Sequence, residues 1–256
     1  MEQLITIPAL GDNFIYLYRY DNSDVLAVDP GDYSSVLDTL KRHNLNLTTI
    51  LATHHHWDHI GGIAELKKKT GCKVIGSDKQ GMPGIDEIVE DGQIITIDKT
   101  RIQVIATPGH TRSAVCYYLP PTDENEAGIL WTGDTLFIGG CGRLLECNAQ
   151  TMWDSLQKLA ALPDRTYVYC GHDYTLENYE FAHEIEPHNQ SVEKRLSDIK
   201  QKIQQGKFTV PSTMLQEKET NIFLRSGTSE IKNALNMPDA GEVEIFAELR
   251  RRKDVF

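Results

Sequence analysis

His54, His56, Asp58 and His59, three imidazoles and a carboxylate in ligand spacing, crowd into the single loop Thr53 to His59. The apolar run Thr49-Ile50-Leu51-Ala52 leads into the loop and Gly61-Gly62 follows it, so the four side chains sit where a buried strand turns toward a helix. Chemistry in α/β proteins is placed at such strand ends. Four donors exceed what one tetrahedral catalytic metal takes, because such a site keeps a position open for water. Two metals are the natural reading. Alternation along an extended segment turns His55 away from the face shared by His54 and His56, which leaves it out of the set.

Borderline divalent metals take imidazole and carboxylate, so further ligands are expected at other strand ends beside glycine turns. Three segments follow that grammar: Arg101 to Ala106 runs into Thr107-Pro108-Gly109-His110, Gly128 to Trp131 into Thr132-Gly133-Asp134, and Tyr167 to Cys170 into Gly171-His172. With the loop they give His54, His56, Asp58, His59, His110, Asp134 and His172. Seven donors suit two metals that share one carboxylate, and a pair about 3.5 to 4 Å apart can hold a hydroxide between its members, so hydrolysis is the default chemistry. Asp29, in Val28-Asp29-Pro30-Gly31, ends another apolar strand. It either hydrogen-bonds a ligand imidazole from behind or opens the Pro-Gly turn, and the sequence leaves both readings open.

With 37 acidic against 26 basic residues the formal charge is -11, which argues against nucleic acid or an anionic membrane as a partner. The five cysteines, an odd number without paired metal spacing, are expected to be reduced thiols. Cys170, in an apolar strand, reads as core. The N-terminus lacks a basic segment followed by an apolar stretch, and no apolar run approaches about 18 residues, so a cytoplasmic, soluble and monomeric protein is expected.

Along the first two thirds, short β-branched or aromatic strands alternate with helical periodicity at 34–43, 63–70 and 149–162. Two packed sheets with helices outside fit this pattern. After Tyr174 strand signals stop, and helical patterns at 177–185, 191–204 and 242–252 indicate a small helical appendage. The polar loop Pro120 to Glu126 reads as a hairpin excursion and Lys67-Lys68-Lys69 as a solvated helix end.

Taken in order, Thr53-His54-x-His56-x-Asp58-His59, His110, Asp134 and His172 resemble the metallo-β-lactamase fold superfamily. Gly133-Asp134-Thr135-Leu136-Phe137, Gly140-Cys141-Gly142-Arg143, Cys170-Gly171-His172-Asp173-Tyr174, Val210-Pro211-Ser212-Thr213 and Arg250-Arg251-Arg252-Lys253-Asp254 narrow the resemblance, which covers nearly the whole chain, to the glyoxalase II family of hydroxyacylglutathione hydrolases. The resemblance implies an α/β fold, a metallo-β-lactamase-like αββα sandwich, as a catalytic domain over residues 1–173, with a small C-terminal helical domain for substrate binding over residues 174–256. One divalent metal would be held by His54, His56 and His110 and the other by Asp58, His59 and His172, with Asp134 between them; zinc is expected, with iron or manganese as alternatives. Arg143, Tyr174, Arg250 and Lys253 would contact glutathione. Animal relatives carry tyrosine near the position of Leu145, and many members have glycine where Cys147 stands, so contacts from that loop differ here.

The implied reaction is hydrolysis of S-D-lactoylglutathione to glutathione and D-lactate, in methylglyoxal detoxification, by a metal-bridging hydroxide. Asp58 and Asp134 are read as catalytic ligands, Asp58 with a possible transient proton role. The residues agree with a thioester substrate: a thiol of pKa about 8.5 leaves as thiolate without strong acid help. Arg250 to Lys253, ending an acidic chain, suit the two carboxylates of a glutathione conjugate, although cations at a helix C-terminus also have a purely structural use. The competing readings are another hydrolase of this fold (a lactonase, β-lactamase or phosphodiesterase), an iron-dependent persulfide dioxygenase, and a non-catalytic binding protein.

Overall fold

The computed structural model describes residues 3–82, 84–123 and 126–256. Met1 and Glu2, at the expected leaderless N-terminus, and Glu124 and Asn125, within the expected hairpin excursion, lie outside the described residues. The first sheet has the order β1 (Leu4–Ala9), β2 (Asn13–Arg19), β3 (Asp24–Val28), β4 (Asn46–Leu51), β5 (Lys73–Gly76), β6 (Glu87–Ile88). Strands β1 to β3 pair antiparallel and β3 to β6 parallel. A parallel pair needs a crossover, which helix α1 (Tyr33–His43) supplies between β3 and β4. Asp32 starts that helix by accepting from the amides of Ser34 and Ser35, the usual work of an aspartate at an N-cap. The one-turn helix α2 (Trp57–Ile60) and then α3 (Ile63–Thr70) connect β4 to β5.

In the second sheet β7 (Ile94–Ile97), β8 (Thr100–Ala106), β9 (Val115–Leu119) and β10 (Ile129–Gly133) form an antiparallel meander. A small hairpin, β11 (Leu136–Phe137) and β12 (Gly140–Cys141), follows. Helix α4 (Ala149–Ala160) then returns the chain to β13 (Tyr167–Cys170), parallel to β10, and β14 (Ser212–Thr213) closes that edge. Helices α5 (Thr175–Ile185), α6 (Gln190–Gln204), α7 (Met214–Thr220), α8 (Ser229–Ala234) and α9 (Glu242–Lys253) make up the rest.

Alternation explains the layering. On β2, Phe14, Tyr16 and Tyr18 belong to one buried cluster with Trp131 and Tyr117 of the second sheet, whereas Ile15 and Leu17 join Val36, Leu40, Ile63 and Leu66 under α1 and α3. The first cluster continues through Met152 and Leu156 of α4 into Tyr179, Phe223 and Phe246 of the helical region, so that region shares its core with the sandwich. The αββα arrangement expected from the sequence is what the chain adopts.

Two expectations change. Strand structure does not stop at Tyr174, because Ser212 and Thr213 pair with Val168 and Tyr167. Two-residue strands carry no period to read, and the same holds for β6, β11 and β12. Helices α7 and α8, seven and six residues long, were likewise too short to announce themselves.

Candidate metal centre

Asp29, His54, His110, Asp134 and His172 all lie just beyond the C-terminal ends of strands, β3, β4, β8, β10 and β13 respectively, and this edge of the sandwich gathers them. The donor atoms of His54, His56 and His110 lie within 4.8 Å of one another, as do those of Asp58, His59 and His172. Asp134 stands between the two groups: its Oδ2 is 3.4 Å from His110 Nε2 and 3.3 Å from His172 Nε2, and its Oδ1 is 3.4 Å from His59 Nε2. All seven residues singled out in the sequence thus converge. His55 points elsewhere, its Nε2 lying 3.3 Å from Glu146 Oε1.

The backing groups set the tautomers. Asp29, in the left-handed region at φ 51°, accepts from the amide and hydroxyl of Thr53 at 2.7 and 2.6 Å and meets His59 Nδ1 at 2.9 Å. Its side chain therefore sits behind the His59 imidazole, and its backbone carbonyl accepts from the Gly31 amide at 2.8 Å across the Pro-Gly turn. His172 Nδ1 meets Asp12 Oδ1 at 2.9 Å and His110 Nδ1 meets the carbonyl of Arg143 at 3.0 Å. Carboxylates and carbonyls only accept, so these three Nδ1 atoms carry a proton, and Nε2 is the nitrogen left free to serve as a ligand once its own proton is gone. His59 Nε2 and His172 Nε2 face each other across 3.2 Å. Asp134 Oδ1 is buried without a hydrogen-bond partner. Imidazole nitrogens facing each other at this distance and an orphaned carboxylate oxygen fit bound cations.

The electrostatics agree. Burial and the surrounding imidazoles push His54 well below the usual histidine value, and burial lowers His56. Burial would also lower His172, but hydrogen bonds that its charged form donates to Asp134 and Asp58 outweigh it and raise this group to about 10. His59 is raised in the same way, against burial, by Asp134 and Asp29. Although burial favours their neutral forms, Asp58 and Asp134 are held far below the usual carboxylate range by His172 and His59. A cluster that draws protons so strongly is one that divalent ions can occupy in their place.

A cavity of about 340 Å³ opens from this edge, and among its lining residues are His110, Asp134, Arg143, Tyr174, Arg250 and Lys253. The four expected substrate contacts therefore share one cavity with two of the donors. Tyr174 stacks on His172, with ring centroids 4.9 Å apart and an interplanar angle of 4°. Arg250 donates through Nη1 to the carbonyl of Cys141 at 2.8 Å and through Nη2 to Asp254 at 3.0 Å. Leu145 is 59% exposed. The sequence reading missed Asp12 and Asn13, whose Nδ2 donates to Asp58 Oδ2 at 3.0 Å, because Gly11-Asp12-Asn13 looks like any turn.

Asp29→Asn should leave the sandwich folded but weaken metal binding about 10- to 100-fold, the usual cost of losing a group that orients a ligand. One amide oxygen cannot replace two carboxylate oxygens that meet Thr53 and His59. Chelator competition measures this, and an unchanged metal affinity would remove Asp29 from its supporting role.

Comparison with known proteins points the same way. Residues 9–172 match the metallo-β-lactamase superfamily, and residues 173–256 match the hydroxyacylglutathione hydrolase C-terminus. The chain is 45% identical over 261 residues to a hydroxyacylglutathione hydrolase of Chromohalobacter salexigens, covering all of both proteins. It is 43% identical over 259 residues to one of Methylococcus capsulatus, covering 100% of this chain and 99% of that protein. Among solved structures, ETHE1 from Myxococcus xanthus superposes with a TM-score of 0.66 at 24% identity over 98% of each chain, which is a likeness of fold.

Proposed function

The chain belongs to the hydroxyacylglutathione hydrolase family of the metallo-β-lactamase superfamily, and from that premise we propose that it hydrolyses S-(2-hydroxyacyl)glutathione, chiefly S-D-lactoylglutathione, to glutathione and D-lactate. One observation carries the reading: a single cavity is lined both by His110 and Asp134 of the donor cluster and by two buried cations, Arg250 and Lys253. A thioester with carboxylates at its far end matches that lining.

In this reading His54, His56 and His110 would hold one divalent ion and Asp58, His59 and His172 the other, with Asp134 placed to serve both. Zinc suits the imidazole-rich set, and iron or manganese is also accepted by such donors. When bound, the ions supply a water acidified toward a pKa of about 7 and an electrophile for the thioester carbonyl. The chain's own residues do the positioning. Asn13 holds Asp58 by donating to Oδ2, Asp12 and Asp29 fix the His172 and His59 rings, and the Tyr174 ring packs flat against His172. Residues 1–173 serve as the catalytic domain and 174–256 as the substrate-binding domain. All five cysteines are free, which supports a reducing, cytoplasmic setting, and a single chain carries the complete donor set, which supports action as a monomer. No helix among the described residues is long and apolar enough to cross a membrane.

The deciding assay compares S-D-lactoylglutathione, a lactone, a β-lactam and a phosphodiester on one sample with metal analysis. Turnover confined to the last three would overturn the reading. Arg250→Ala with Lys253→Ala should raise KM for the glutathione thioester about 10-fold or more, since charge-assisted hydrogen bonds are worth roughly 1.5–3 kcal/mol each. The kcat should change far less, as expected for lost uniform binding. An unchanged KM would take the C-terminal helix out of the substrate site.

A further inference from the structure

The buried cations that line the cavity are already paired. The Lys253 side chain is only 6% exposed; its ammonium lies 5.9 Å from the ring centroid of Phe181 and 5.1 Å from that of Phe256, and it donates to Glu177 Oε1. Glu177 lines the same cavity as Arg143, Arg250 and Lys253, yet its own side chain is 58% exposed. A buried ammonium without a partner is costly, so a nearby carboxylate is needed whenever the cavity is empty. A carboxylate arriving on a ligand can serve the same ammonium. The partner best able to yield is the exposed one, because Glu177 can swing into water at little cost in solvation.

Arg250 differs. Its guanidinium is anchored by the Cys141 carbonyl and lies over the Phe223 ring at 5.2 Å, so it keeps its place whether or not Asp254 stays with it. Lys253 has the more exchangeable pairing.

We propose that Glu177 is an internal counter-ion, displaced from Lys253 by a carboxylate of the incoming ligand, and that this exchange determines how strongly the cavity takes anionic tripeptide thioesters. The inference rests on the glutathione reading above and deepens it by naming a specificity-determining residue. Glu177 keeps the ammonium neutralised in the free protein and discriminates against ligands that bring no carboxylate, since these leave the existing pair intact and gain nothing from Lys253. It also sets a competition that every proper ligand must win, so removing its charge should tighten binding.

The test is calorimetric titration of the full metal-loaded chain with glutathione itself, in low-salt buffer without phosphate, comparing the parent with Glu177→Gln. The variant should bind glutathione about threefold or more tightly, the scale of one partly exposed ion pair. The gain should vanish for glutathione esterified at both carboxylates. Inorganic phosphate should compete better with glutathione in the variant than in the parent. If the parent binds glutathione and the variant binds it equally or more weakly, the inference is overturned; weaker binding would mean that Glu177 receives the ligand's α-ammonium instead. If the parent does not bind glutathione at all, the functional reading falls, and the inference with it.

Discussion

Asp134→Ala is expected to lower thioester turnover by more than about 10²-fold, beyond the 10- to 100-fold cost of losing a mere supporting group, and to reduce bound metal at the same time. The reason is its position. Its two oxygens reach His59, His110 and His172, which belong to both donor groups, and one of those oxygens has no other partner. Alanine leaves each triad of donors intact but removes the only carboxylate placed between them among the described residues. The vacated space is buried, and the His59 and His172 rings lose the anion that raises them. Metal analysis and turnover should be read on the same sample. Full turnover with two metals per chain would show that Asp134 does not join the two groups.

The donor set was legible because strand-end ligands obey a local grammar: an apolar run, a glycine turn and an imidazole or carboxylate, repeated after β4, β8, β10 and β13. What backs those ligands was not. Asp12 meets His172 across 160 positions, and nothing in a turn such as Gly11-Asp12-Asn13 marks it as the partner of a distant imidazole. Asp29 showed only as an alternative because aspartate before Pro-Gly has an ordinary use. The C-terminal cations illustrate a different limit. The sequence set substrate contact against helix-end electrostatics for the whole run, and the helix turns the residues to two different faces. Arg251 and Arg252 pair with Glu248, three and four residues back, on the outer face. Arg250 and Lys253, three apart, are turned inward and buried. Glu177 stands in the first turn of α5, where a carboxylate favours the helix N-terminus, and its meeting with Lys253 depends on how α5 and α9 pack.

Gly171→Ala is expected to empty the metal centre while leaving the fold recognisable. A Cβ at this position would lie 2.5 Å from Asp134 Oδ1 and 2.7 Å from His59 Cε1, closer than real Cβ contacts come. The backbone cannot step aside, because the Gly171 amide donates to the Gly133 carbonyl and its own carbonyl accepts from the Phe14 amide, both at 2.8 Å. Those bonds tie β13 to β10 and to the start of β2. The His59 ring cannot yield either while Asp29 holds its Nδ1. The strain must therefore be relieved by moving Asp134 away from its neighbours, or by breaking the His59 contact with Asp29, at an overpacking cost of about 1–3 kcal/mol. Metal content should fall toward zero and turnover with it. Gly241→Ala supplies the control: its nearest contact would be Glu244 Oε2 at 3.6 Å, and alanine for glycine at a helix N-cap costs about 1 kcal/mol. That variant should lose a similar amount of thermal stability yet keep its metals and its activity. If Gly171→Ala also kept both, the packing of β13 against the donor cluster would not be what holds the centre together.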